Sequence, residues 1–72
     1  VTLLEALEDL KGCTLVHLDK ESGLVVFWNG GSAFLEYYVG PNGIRQGDAW
    51  TASKRPSGAH DAVAMVAARY GT

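Results

Sequence analysis

The chain is short of the devices that usually hold very small domains together. It has one cysteine, Cys13, so no internal disulfide can form, and neither that thiol nor the two histidines falls into a metal-ligand spacing. With 72 residues there is room for one core, burying about 60% of the unfolded chain's surface, so residues 1–72 read as a single small domain. No apolar run approaches the ~18 residues of a membrane span, and no basic segment followed by an apolar stretch opens the chain. Together with the unpaired thiol, this leads to the expectation of a cytoplasmic protein with no membrane partner. Six basic residues against eight acidic ones give a net charge of -2, without the positive excess on which general phosphate-backbone binding draws.

What the chain does have is pattern. Thr2-Leu3-Leu4-Glu5 fits a capping box, in which a hydroxyl and a carboxylate satisfy each other's backbone N–H groups. Leu3, Leu4, Leu7 and Leu10 recur at helical spacing, leaving Glu5, Glu8 and Asp9 toward water, and Lys11-Gly12 supplies a terminal cation and a stop. A helix is therefore expected over residues 2–11. From Cys13 the period changes. Residues 13–18, 24–28 and 33–39 are short β-branched or aromatic runs separated by Asp19 to Gly23, Asn29-Gly30-Gly31 and Gly40 to Gly43, the marks of an antiparallel meander. Ile44 to Ala52 reads as a fourth strand that Gly47 and Asp48 interrupt with a bulge or an irregular edge. After Lys54-Arg55-Pro56-Ser57-Gly58, the residues Ala59, Val63, Val66, Ala67 and Tyr70 follow helical spacing, with Ser57 as N-cap, Asp61 and Arg69 suiting the two poles, and Gly71 as stop. The fold class is α+β, in the order α-β-β-β-(β)-α.

Strand parity exposes a shortage of cover. In the third strand Ala33, Leu35, Tyr37 and Val39 share one face, and Phe34, Glu36 and Tyr38 the other; the second strand divides into Leu24, Val26 and Trp28 against Val25 and Phe27. Both faces carry apolar bulk, while the two helices are each only ~15–18 Å long. Either the helices split across the sheet or uncovered aromatics form a surface for another molecule. The expected arrangement puts both helices mainly on one face of the antiparallel sheet and leaves Phe34, Tyr38 and Trp50 as an interaction face.

Catalytic chemistry has little support. His60 and Asp61 are adjacent, so on a helix they point about 100° apart, and Cys13 and His17, though of equal strand parity, stand ~13 Å apart. The glycine clusters sit between strands and do not open a helix after a strand, which removes a phosphate loop. Asp48 near Arg45 reads as a surface ion pair. No cofactor, metal or catalytic residue is expected.

Helix, three strands, then Ser53-Lys54-Arg55 ahead of an alanine-rich helix carrying Ala62 and Ala67-Ala68 resembles the double-stranded-RNA-binding domain in outline. That resemblance implies Lys54 and Arg55 as phosphate contacts on a duplex read by shape. Pro56-Ser57-Gly58 departs from it by separating the doublet from the helix, and His60 and Asp61 stand where further lysines belong. The leading expectation is a non-enzymatic protein-interaction module or small accessory or inhibitor-like protein, binding a protein partner or a second copy of itself; nucleic-acid binding is the alternative.

Overall fold

The computed structural model describes residues 2–70, Leu3 in its backbone only. The element order is α1 (Leu3–Asp9), β1 (Thr14–Leu18), β2 (Leu24–Trp28), β3 (Ala33–Gly40), β4 (Gly43–Thr51) and α2 (Ala59–Tyr70). The strands form one antiparallel sheet in sequential order, so the α+β meander expected from the sequence is the fold, with the fourth strand present.

Local chemistry accounts for the boundaries. Thr2 caps α1 with both halves of the box made: its hydroxyl accepts from the Glu5 N–H at 3.2 Å and its own N–H donates to the Glu5 carboxylate. Gly12 turns the chain into β1 at φ +84°. At the β1–β2 turn, Asp19 accepts from the Glu21 N–H and the Ser22 hydroxyl, both at 3.0 Å. Those bonds favour the ionised form and hold the Asp19 carboxyl below its ordinary pKa. α2 begins one residue later than the expected cap: Gly58 precedes it, and the Ser57 N–H donates to the Asp61 carboxylate at 2.9 Å. Gly71, the expected stop, lies outside the described residues.

The two helices lie on opposite faces of the sheet, which corrects the expectation of both on one. Ala62 and Val66 of α2 are fully buried against Val16, Leu24, Val26 and Phe34, whereas Ala6 of α1 packs with Val25 and Tyr37. The reason is in the strands. Val25 and Val26 point to opposite sides of β2, and each side demands its own cover at about 25 cal/mol for every Å² of apolar surface removed from water. Burial also rotates the helical stripes from their expected positions. α2 buries Ala62 and Val66 while Val63 is exposed, and α1 buries Ala6 while Leu4 and Leu7 stay in solvent. The Leu3 side chain lies outside the described residues.

Both edge strands are bulged. The β1–β2 register slips between Leu15 and His17, and the β3–β4 register slips where Gly47 and Asp48 together oppose Glu36. The second bulge is the interruption expected at those two residues. The first gives Val16 and His17 one partner in Val26 and turns both toward α2, so the unbroken alternation on which the shared parity of Cys13 and His17 rested does not hold.

Candidate functional site

Phe34, Tyr38 and Trp50, the expected interaction face, all lie beneath or beside α2. Phe34 has 0% exposure and belongs to the core, so it presents no surface, and Tyr38 and Trp50 are half-buried against the same core. Register explains the grouping: Phe34 faces Trp50 across the β3–β4 pair and their rings stack at 4.3 Å, nearly parallel. Arg69 at the end of α2 lies over the indole at 4.4 Å, and Arg45 lies over the Tyr38 ring at 5.0 Å. A stack thus runs outward from a buried phenyl ring, through a half-buried indole, to an exposed guanidinium.

At the centre of this face is a buried carboxylate. Glu36 is 3% exposed, and its Oε2 accepts from the Trp50 indole N–H at 2.6 Å and from the Tyr70 hydroxyl, with Arg69 Nε 3.9 Å away. His17 stacks on the Tyr70 ring at 5.8 Å. Burial, followed by the bond to Glu36, pushes the Tyr70 phenol above its ordinary pKa, because a phenolate there would be poorly solvated and would face a carboxylate. The arrangement ties the last turn of α2 to the middle of the sheet. Glu36 drew no role from the sequence, although a lone carboxylate inside an aromatic strand was a signal that could have found it. Its partners were not, because Tyr70 is 34 residues away.

Lys54 and Arg55 are exposed in the loop between β4 and α2. Arg55 donates to the Gly30 carbonyl at 3.1 Å, which fastens that loop to the β2–β3 hairpin beside the buried Pro56. One cation of the doublet therefore already has a structural partner. Among the described residues, no group of three or more His, Cys, Asp or Glu is placed to hold a metal ion, and no helix is long and apolar enough to cross a membrane.

No family model, curated protein or solved structure matches this chain. Its own surface is the remaining guide.

That surface is uneven. Of the seven large hydrophobic side chains exposed among the described residues, five lie on α1 or on the sheet face that α1 covers: Leu4, Leu7, Leu15, Leu18 and Val39. Leu4 is 72% exposed, Leu7 59% and Leu18 56%. Leu15 and Leu18 pair with Phe27 and Val25, whose side chains pack in the core under α1, which places both leucines on that face. A helix of seven residues is about 10 Å long and cannot cover four strands spanning about 14 Å. The expected shortage of cover is real. It falls on α1's side, away from the aromatic cluster.

Proposed function

We propose that this domain is a non-enzymatic interaction module that docks another chain, a protein partner or a second copy, through the face formed by α1 and β1. The observation that carries the reading is the exposure of Leu15 and Leu18 on the sheet face that α1 only partly covers, with Leu4 and Leu7 exposed on α1 itself, since exposed apolar surface on small domains commonly marks contact surfaces. The bulges support docking by face over docking by edge, because a bulged edge strand offers a poor template for an added strand. Both Leu15 and Leu18 sit on β1, where threonine keeps the strand preference and removes the grease. Sedimentation of the purified chain, paired with capture from native lysate, tests the reading. The Leu15→Thr/Leu18→Thr variant is expected to lose the association that the parent shows while keeping its melting temperature within a few degrees. Unchanged association in that variant would refute it. Duplex RNA is the discriminating control: binding that falls when Lys54 and Arg55 are neutralised would favour the alternative function.

A further inference from the structure

Resting on that docking reading, we infer that the occupant of the α1 face is a cationic amphipathic helix of a different chain. Charge is distributed unequally along this sequence. Glu5, Glu8 and Asp9 of α1, with Asp19 and Glu21 in the β1–β2 turn, are opposed in the first 23 residues only by Lys11 and Lys20, a local net charge of -3. Residues 24–72 carry Arg45, Lys54, Arg55 and Arg69 against three carboxylates, one of them the buried Glu36, for a net charge of +1. The exposed leucines of α1 and β1 and five of the eight carboxylates therefore fall in the same stretch of chain, residues 4–21. On α1, Leu4, Glu5, Glu8 and Asp9 line one shallow hollow of about 280 Å³.

This combination selects among occupants. A symmetric dimer through the face would set each patch against its own copy and bring two charges of -3 together. An anionic lipid surface or a nucleic acid would meet the same repulsion. An added strand is opposed by the bulge in β1. A helix with leucine-like residues on one side and lysine or arginine flanking them satisfies both the exposed leucines and the carboxylates that lie near them in the chain.

The probe is a synthetic amphipathic peptide of about 18 residues with leucine on one face and lysine on the other, compared with a twin carrying glutamate in place of lysine. Binding to the full chain is read by backbone amide chemical shifts and fluorescence anisotropy. The lysine peptide is expected to shift α1 and β1 amides, to bind more weakly as salt rises, and to lose about tenfold in affinity with Leu15→Thr/Leu18→Thr. Glu8→Lys is expected to weaken the lysine peptide about two- to fivefold and to strengthen its twin. Equal affinity of the two peptides at α1 and β1 would overturn the charge assignment while leaving the docking face standing. Shifts confined elsewhere, or none at peptide concentrations up to about 1 mM, would overturn the occupant. A dimer abolished by Leu15→Thr/Leu18→Thr would assign the face to a second copy and also overturn it. If that double variant changes neither self-association nor peptide binding, the docking reading itself fails.

Discussion

Replacing Glu36 with leucine keeps roughly the volume of the side chain and removes the acceptor that holds the end of α2. The Trp50 N–H and the Tyr70 hydroxyl would both lose the carboxylate they donate to. A hydrogen bond to a charged group contributes about 1.5–3 kcal/mol, and a buried donor left without a partner costs about 1–3 kcal/mol. Tyr70 is 38% exposed, so water replaces part of its bond and the cost there falls to about 1 kcal/mol. The Arg69 contact, at 3.9 Å with its side chain 45% exposed, adds well under 1 kcal/mol. The expected loss for Glu36→Leu is therefore about 3 kcal/mol, against roughly 4–11 kcal/mol for a domain of this size. At about 4–8 °C per kcal/mol the melting temperature should drop by at least about 12 °C, read by far-ultraviolet circular dichroism. Glu36→Gln retains an acceptor of the same shape and should cost about 1–2 kcal/mol. Combining it with Tyr70→Phe in a double-mutant cycle should reveal a coupling of about 1 kcal/mol, since the two groups share one bond. A leucine variant as stable as the parent would refute the reasoning, because it would mean that desolvating the carboxylate cancels everything its partners return.

Three further outcomes follow from the same structure. Tyr37 is raised by burial and by the nearby Asp9, and Tyr70 by burial and Glu36, so both folded-state phenols bind their protons more tightly than in the unfolded chain. Their contribution is fully present below the ordinary phenol pKa near 10 and is lost as pH rises through the folded values. Denaturant midpoints should therefore fall above about pH 10, and a flat profile there would refute the assignment. Gly23→Ala should cost more than ~3 kcal/mol, because it combines φ +78° with a Cβ placed 2.2 Å from the Val39 carbonyl oxygen. Gly12→Ala, at φ +84° with nothing within 4 Å, should cost only ~1–2 kcal/mol, and urea titration of the pair tests the difference. Phe34→Ala should destabilise by about 3–5 kcal/mol in the same assay, while Leu18→Thr on the exposed face should stay within about 1 kcal/mol of the parent.

Much of the architecture was legible because it rests on local chemistry. The capping box at Thr2 and Glu5, the strand breaks at Ser22-Gly23 and Asn29-Gly30, and the interruption of β4 at Gly47-Asp48 each involve residues within a few positions of one another. Face parity in β2 and β3 was readable for the same reason, and Val26 and Phe34 do share one side of the sheet with α2 as Val25 and Tyr37 share the other with α1. The candidate site was much less legible. Phe34 and Trp50 read as surface aromatics because nothing in the local pattern says which face a distant helix will cover. Arg55 was open to reading as a phosphate contact because its acceptor, Gly30, lies 25 residues away.

The amino-acid order by itself determined the six elements, their antiparallel succession and the apolar load on both sides of the sheet, since each of these depends on spacing and turn chemistry within a short window. Only the tertiary structure decided that one helix would take each face. That choice buried Phe34 and Glu36 beneath α2, with Tyr38 and Trp50 half-buried beside them, and left the leucines of α1 and β1 in water. The physical reason is the mismatch in helix length: twelve residues close one side of the sheet, and seven cannot close the other.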